Sequence, residues 1–196
     1  MNNLTVENNQ DSYIFFGIGT YTYAFNSKYV SDIMQLVELE YPEALPDFIV
    51  GLLEYNNRII KIVDIRTILK LQIEPYTLNS KIIIVKTENE YFGIIIDNVK
   101  EIRKIDTSLL NAPPYQTKTS YLEAIYTDGD SSTTIINLDN IEKSINSTEE
   151  IQSSAKNSSS LFLPRDMNSK EILHRRRLHY ARKMREEGYA IIKSQD

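Results

Sequence analysis

Short apolar runs, each of strand length and bounded by turn residues, recur along most of the chain from residue 13 to residue 138. Their isoleucine, valine, tyrosine, phenylalanine and threonine content favours a pleated, half-buried surface. The segments between them are too short for the crossover helices that join parallel strands. The pattern therefore predicts a mainly β protein, a barrel or sandwich, with strands at 13–18, 21–25, 33–39, 48–53, 59–63, 81–85, 91–96, 99–105, 121–126 and 133–138.

Turn residues separate these runs at regular intervals. Gly19-Thr20, Asn56-Asn57 and Asp128-Gly129-Asp130 contain residues that tolerate a positive φ or close a hairpin with their own side chains. Short helical turns are predicted at 26–31, 65–69 and 139–144, and two of them directly follow a strand. This parallel predicts two barrel halves, at about 13–70 and 80–143, within one domain over 13–145.

The two ends of the chain have a different texture. Residues 1–12 are polar and are predicted to be disordered, and the Ser/Asn-rich stretch 146–163 is predicted to be a flexible linker. Residues 164–196 are predicted to contain a basic amphipathic helix. Its apolar stripe, Leu173, Tyr180 and Met184, is expected to dock on a protein surface, either on this chain or on a partner.

Charge is unevenly distributed between these parts. Residues 165–196 carry nine Lys/Arg and five Asp/Glu, a net charge of +4, whereas 1–164 carry 13 Lys/Arg and 22 Asp/Glu, a net charge of −9. The Arg175-Arg176-Arg177 cluster leaves open a nucleic-acid-binding β-barrel that uses its basic helix as a clamp. That alternative is less favoured, because nucleic-acid readers usually sit on a domain that is itself basic.

Few residues are available for catalysis or metal binding. The chain has no cysteine, and its two histidines, His174 and His179, diverge on a helix, unlike a zinc-binding pair four residues apart. We expect no metal, no cofactor and no enzymatic activity. A sensor or enzyme that uses a cleft between the barrels is the weaker alternative. Apolar runs of about five residues predict no membrane insertion, since a spanning helix needs roughly 20, and the expected location is the cytoplasm.

Six segments, in order, follow the pattern of one known protein family. Residues 50–66, "VGLLEYNNRIIKIVDIR", resemble the family signature of a glycine, a hairpin, a strand and a closing Asp-hydrophobic-Arg. The other five are "YIFFGIGTYTYAF" at 13–25, "VSDIMQLV" at 30–37, "YFGIIIDNVKEI" at 91–102, "LLNAPP" at 109–114 and "TIINLDNI" at 134–141. Together these segments resemble the CheW-like family, and the resemblance implies two small five-stranded SH3-like barrels side by side. The C-terminal helix predicted above lies beyond the family domain.

The resemblance also implies a function and a set of binding residues. It implies a non-catalytic, cytoplasmic chemotaxis adaptor that binds a CheA-type histidine kinase and the signalling tip of a methyl-accepting chemoreceptor. Val30, Asp32 and Gly51 would line the receptor-facing groove, and an added carboxylate at Gly51 would weaken binding more than folding. The kinase-facing surface would include Asn56, Arg58, Asp64 and Arg66.

The chain departs from the family pattern at the hairpin. Where the family usually has Asn-Leu-Arg-Gly, this chain has Glu54-Tyr55-Asn56-Asn57. The turn is retained because Asn tolerates positive φ, but an amide at Asn56 cannot replace the charged contact of the family arginine. Arg58 is the residue that could compensate. Lys61 in place of a common proline, and Glu123-Ala124 in place of a glycine, are further departures.

Overall fold

A computed structural model of the chain describes residues 10–40, 45–114 and 120–155. These residues contain eleven strands, two α-helices and two short 3-10 helices, at Ser27–Tyr29 and Thr107–Leu109, so the predicted mainly β fold is confirmed. The elements are β1 (Gln10–Ile18), β2 (Tyr21–Asn26), β3 (Val30–Gln35), β4 (Ile49–Tyr55), β5 (Arg58–Val63), α1 (Ile65–Ile68), β6 (Lys81–Lys86), β7 (Tyr91–Ile96), β8 (Asn98–Asp106), β9 (Leu110–Asn111), β10 (Leu122–Asp128), β11 (Ser131–Ile136) and α2 (Leu138–Ala155).

The strands form two sheets. All strands of one sheet, β3 to β7, lie in the sequence between β2 and β8 of the other sheet. The order β3-β6-β7-β5-β4 defines what we call the continuous barrel, and β8-β1-β2-β11-β10-β9 defines the split barrel. The predicted division into halves at 13–70 and 80–143 is therefore wrong. Strands β1 and β2 pair with β8 and β11, more than 70 residues later, because the pairing buries both faces of β1.

Each barrel is held closed by contacts between strands that are not neighbours in its sheet order. In the continuous barrel, Glu40 beyond β3 pairs with Leu52 of β4 through two backbone hydrogen bonds of 3.1 and 2.7 Å. In the split barrel, Arg103 of β8 pairs with Asp128 of β10 at 3.0 Å. The Arg103 guanidinium also lies 4.7 Å from the ring centroid of Phe15 and 5.5 Å from that of Tyr126.

Three hydrophobic clusters form the core. One fills the continuous barrel and includes Ile82 and Ile84, and another fills the split barrel and includes Phe15. The largest lies between the barrels and receives the alternate residues of the same strands, such as Ile83. Because both faces of these strands are buried, they have continuous apolar sequences instead of an alternating pattern. The shared cluster joins the barrels into one body.

The helix α2 is longer than the turn predicted at 139–144 and replaces part of the predicted linker. Asn137 caps it, accepting a hydrogen bond from the Asn140 backbone N–H at 2.9 Å. Leu138, Ile141 and Ile145 of α2 are buried in the shared cluster. The prediction of a flexible linker from residue 146 is therefore wrong as far as Ala155, because a helix anchored by tertiary packing propagates at low cost through residues of modest propensity.

The N-terminal boundary also differs from the prediction. Gln10, Asp11 and Ser12, expected to be disordered, form the start of β1 and pair with Asp106, Ile105 and Lys104 of β8. Backbone pairing of this kind needs no apolar side chains, so a polar sequence did not indicate it. Residues 1–9, the rest of the linker and the predicted tail helix with Leu173, Tyr180 and Met184 lie outside the described residues, as do His174 and His179.

Candidate functional site

The hairpin between β4 and β5 projects from the continuous barrel at the position where the sequence predicts a binding surface. Asn56 and Asn57 both have positive φ, 50° and 60°, which is the backbone that a two-residue type I′ turn requires. Both side chains are exposed, as is Arg58. The predicted turn is confirmed, and it presents Asn56 and Arg58 to solvent.

An aromatic pair lies at the base of the hairpin. The rings of Tyr55 and Tyr91 are 6.2 Å apart, and the Tyr55 hydroxyl lies 3.3 Å from the Ser31 hydroxyl of β3. The guanidinium carbon of Arg58 lies 5.3 Å from the Tyr91 ring centroid, and Lys86 Nζ lies 5.6 Å from it. Aromatic rings and arginine are enriched at protein interfaces, where they bury large areas at low entropic cost.

Ile59, which follows Arg58 in β5, supplies exposed apolar area on the other face of that strand. It is 63% exposed, whereas Ile60 and Ile62 of the same strand are buried inside the barrel. Burial of this side chain by a partner would be favourable, by about 25 cal/mol per Å² of apolar surface removed from water. We use the name hairpin surface for the set formed by Ser31, Tyr55, Arg58, Ile59, Lys86 and Tyr91.

The predicted receptor-facing residues of β3 lie next to the hairpin surface. A register shift between Val30 and Asp32 interrupts the pairing of β3 with β6. Asp32 is exposed, and its carboxylate accepts a hydrogen bond from the Ile33 backbone N–H at 2.7 Å. Val30 is half-buried against the shared cluster. The contact between Ser31 and Tyr55 thus joins two of the predicted regions on one side of the continuous barrel.

Asp64 and Arg66 belong to a buried ionic cluster instead of the surface. Asp64 is 0% exposed and Arg66 is 2% exposed. One Asp64 oxygen accepts hydrogen bonds from the Arg66 guanidinium at 3.1 Å and from the Arg66 backbone N–H at 3.0 Å, and the other accepts one from the Tyr76 hydroxyl at 2.8 Å. Asp64 also caps α1. Direct partner contact by these two side chains is therefore ruled out in this conformation.

The same cluster joins the two barrels. Arg66 also donates to Asp97, in the junction between β7 and β8, and the other Asp97 oxygen accepts from the Gly19 backbone N–H at 2.6 Å in the β1–β2 turn. Burial works against the charged guanidinium, but Asp64 and Asp97 outweigh it, so the pKa of Arg66 is raised above its usual value. Arg66 is a charged link between the barrels.

Gly51 is also buried and has a role in barrel closure. An added Cβ would lie 2.6 Å from Leu39 Cβ and 2.9 Å from the Glu40 carbonyl oxygen. These atoms belong to the segment that closes the continuous barrel onto β4. The missing side chain of Gly51 lets two backbone segments approach closely, and its role in lining a binding groove stays a prediction.

Sequence reasoning missed five members of the hairpin surface: Ser31, Tyr55, Ile59, Lys86 and Tyr91. For Ile59 a signal was present, because alternation along β5 places it opposite the buried Ile60 and Ile62. Lys86 and Tyr91 come from the β6–β7 hairpin, about 30 residues away in sequence. Only the parallel pairing of β5 with β7 brings them to Arg58.

The described residues were predicted to contain neither a metal site nor a membrane-spanning helix. In the ranges 10–40, 45–114 and 120–155, no group of three or more His, Cys, Asp or Glu side chains could hold a metal ion. Within the same ranges, no helix is both long and apolar enough to cross a membrane. The Arg175-Arg176-Arg177 cluster, on which the nucleic-acid-binding alternative rests, lies outside these ranges.

Comparison with known proteins agrees with this architecture. The sequence model of a family described as the CheW-like domain matches residues 12–146. Among solved structures, the scaffolding protein TtCheW from Thermoanaerobacter tengcongensis is similar, with 26% sequence identity and a TM-score of 0.60. The match covers 65% of this chain and 88% of that one. No curated protein matches in sequence.

Proposed function

Because the chain belongs to the CheW-like domain family, we propose that it is a chemotaxis adaptor that couples chemoreceptors to a CheA-type histidine kinase through protein–protein contacts. The family is one of non-catalytic scaffolds, and the proposed place of action is the cytoplasm. The observation that supports the coupling role best is the hairpin surface. It combines two tyrosines and two cations at the β4–β5 and β6–β7 hairpins with an exposed isoleucine on the other face of β5.

The hairpin surface has the composition of an interface centre with a charged rim. Ile59 and the two tyrosine rings offer apolar area, whose burial stabilises a complex by about 25 cal/mol per Å² before the costs of association. Arg58 and Lys86 lie over the Tyr91 ring, where they can also pair with carboxylates of a partner. We assign the kinase-facing role to Asn56, Arg58 and the hairpin surface.

The receptor-facing role is assigned to β3. Asp32 is exposed, and Val30 lies two residues before it at the register shift, so both can contribute to an edge that a helical receptor tip could contact. Gly51, Asp64 and Arg66 support these surfaces indirectly, by closing the barrel and fixing the position of α1. Their substitution would therefore change binding through folding.

The first test is a reconstitution with a CheA-type kinase and a receptor signalling fragment. Ile59→Asp is expected to weaken kinase binding at least tenfold, since it replaces the most exposed apolar side chain of the hairpin surface with a charge, while changing the free energy of unfolding by less than about 0.5 kcal/mol. Ile102→Asp is the matched control, because Ile102 is 55% exposed but lies on β8 of the split barrel. Equal affinities for both variants and the unchanged protein would contradict the assignment of the hairpin surface.

A second variant restores the charge that the family pattern has at the hairpin. Asn56→Arg is expected to tighten kinase binding by on the order of 1 kcal/mol, about fivefold, and the gain should shrink in high salt because a rim charge is screened. Asn57→Arg is the control, since it adds the same charge one position away. Calorimetric titration at two salt concentrations measures both. A loss of affinity in Asn56→Arg alone would mean that the partner surface opposite Asn56 is itself basic.

A further inference from the structure

An acidic groove runs along α2 and meets the hairpin surface at the β6–β7 hairpin, which contributes residues to both. A cavity of about 500 Å³ lies between α2, the β6–β7 turn and Tyr29, and its lining includes Glu88, Asp139 and Glu142. A second cavity of about 250 Å³ shares Tyr29 and Asp139 with it and adds Glu123. We call the two together the acidic groove.

Glu142 is the residue that gives the acidic groove its chemistry. It is 4% exposed, held in place by the buried Ile141 and Ile145 on the same helix. Its Oε1 atom has no hydrogen-bond partner among the described residues. A buried carboxylate oxygen without a partner is costly, by a few kcal/mol for the group. A cation that enters the acidic groove would remove that cost.

The neighbouring charges do not satisfy this need. Burial, and then the charge of Asp139, raise the pKa of Glu123, against a smaller opposing effect of Lys28. Lys28 Nζ lies 4.9 Å from the Tyr29 ring centroid, and Lys143 Nζ lies 3.3 Å from the Asn140 amide oxygen. Both lysines are thus directed at uncharged groups. Four carboxylates and two lysines leave the acidic groove with a net charge of −2.

We propose that the acidic groove binds the guanidinium group of Arg177, supplied by the basic C-terminal segment of the same chain. A guanidinium fits because its planar fork can donate two parallel hydrogen bonds to one carboxylate, which a lysine cannot do. The charges are complementary, since residues 1–164 carry −9 and residues 165–196 carry +4.

On the predicted helix Arg177 lies nearest the apolar stripe among the three adjacent arginines, while Arg176 lies about 60° from Leu173 on the other flank. At 100° per residue, Arg177 lies about 40° from Leu173, on the side of the predicted stripe with Tyr180 and Met184. Arg175 lies about 200° from Leu173, on the opposite side. If the apolar stripe packs along Tyr29 and α2, Arg177 is directed toward the carboxylates and Arg175 toward solvent.

The segment between α2 and Arg177 is long enough for Arg177 to reach the acidic groove. The acidic groove is lined by α2 as far as Ser147, and α2 ends at Ala155, a rise of about 12 Å. The nine residues from Ala155 to Pro164, before the predicted tail, would have an r.m.s. span of about 16 Å as a flexible chain, so the tail helix can return to the acidic groove. Such a connection gives an effective concentration in the millimolar range.

The experiment is a distance measurement on the full chain and does not depend on the proposed adaptor function. The chain has no cysteine, so Asn89→Cys and Ser169→Cys provide the only two sites for spin labels. We expect a narrow, short-distance population in the doubly labelled protein. Arg177→Gln should reduce this population at least fivefold, and Arg175→Gln, its matched control, should leave it unchanged.

The acidic groove has its own pair of variants. Glu142→Gln should reduce the short-distance population as Arg177→Gln does, whereas Glu54→Gln, an exposed acid on β4, should not. Equal effects of Arg175→Gln and Arg177→Gln, or no effect of Glu142→Gln, would overturn the proposal. A mixture of singly labelled proteins should give no short distances, and finding them would overturn the intramolecular assignment.

Thermal denaturation supplies an independent readout. In the Arg177→Gln background, Glu142→Gln removes an unpaired buried charge and should raise the Tm by about 2–4 °C. In the unchanged protein the same substitution breaks the proposed pair and should lower the Tm by a similar amount. The same shift in both backgrounds would refute the pairing, because the effects of non-interacting sites add.

Discussion

Replacing Arg66 with methionine should lower the free energy of unfolding by about 3–5 kcal/mol. Methionine fills much of the same volume but leaves Asp64, which is 0% exposed, without its charged partner. The substitution also removes the ion pair between Arg66 and Asp97, so α1 is no longer connected to the β7–β8 junction through this side chain. Urea denaturation followed by circular dichroism measures the change.

Two companion substitutions separate charge from geometry. Arg66→Lys should recover only part of the loss, because a single ammonium cannot donate to Asp64 and Asp97 in the planar arrangement of a guanidinium. Arg58→Met, at an exposed position, should change the free energy of unfolding by less than about 0.5 kcal/mol. If Arg66→Met unfolded at the same urea concentration as the unchanged protein, the ionic cluster would not be a stabilising link.

Gly51→Asp is the second substitution with a large expected effect, a loss of at least about 3 kcal/mol of folding free energy. The new Cβ would lie 2.6 Å from Leu39 Cβ and 2.9 Å from the Glu40 carbonyl oxygen, so a backbone segment would have to shift. Overpacking of this kind costs about 1–3 kcal/mol, and an unpaired buried carboxylate adds a few kcal/mol more. Binding would be lost with folding, in contrast to the expectation drawn from sequence.

Gly51→Ala isolates the steric part of this effect. It adds the Cβ without the carboxylate, and we expect a loss of about 1–3 kcal/mol. Gly129→Asn is the control, because nothing lies within 4 Å of a Cβ there and Asn tolerates its φ of +57°. A Gly51→Asp protein that melts normally and fails only to bind its partners would support the groove-lining role.

The strands themselves could be predicted because their apolar residues are buried on both faces. The run Ile82, Ile83, Ile84 and Val85 alternates between the interior of the continuous barrel and the shared cluster, and every position is buried. Such a run is recognisable without knowledge of its neighbours. The hairpin at Asn56-Asn57 was predictable for a similar local reason, since positive φ at two consecutive residues favours asparagine.

Pairing between distant strands could not be predicted in the same way. Nothing in the sequence of β2 indicates that Tyr23 pairs with Thr134 of β11, because a strand edge presents the same backbone groups to any partner. The buried ionic cluster depends on that arrangement too. Asp64 and Arg66 were found as a motif, but Tyr76 and Asp97 join them only through the fold. Burial then changed the inferred role from partner contact to structure.

Insertion of one barrel into the other also affects the order in which the protein can fold during synthesis. The continuous barrel spans β3 to β7 and is complete once Ile96 has left the ribosome. In contrast, β1 and β2 cannot complete their pairing until β8 and β11 have been synthesised. Contacts between distant residues form slowly, because the intervening chain must first be ordered. During translation, β1 and β2 would therefore leave apolar strands with open edges, which is the form of nascent chain that chaperones protect from aggregation.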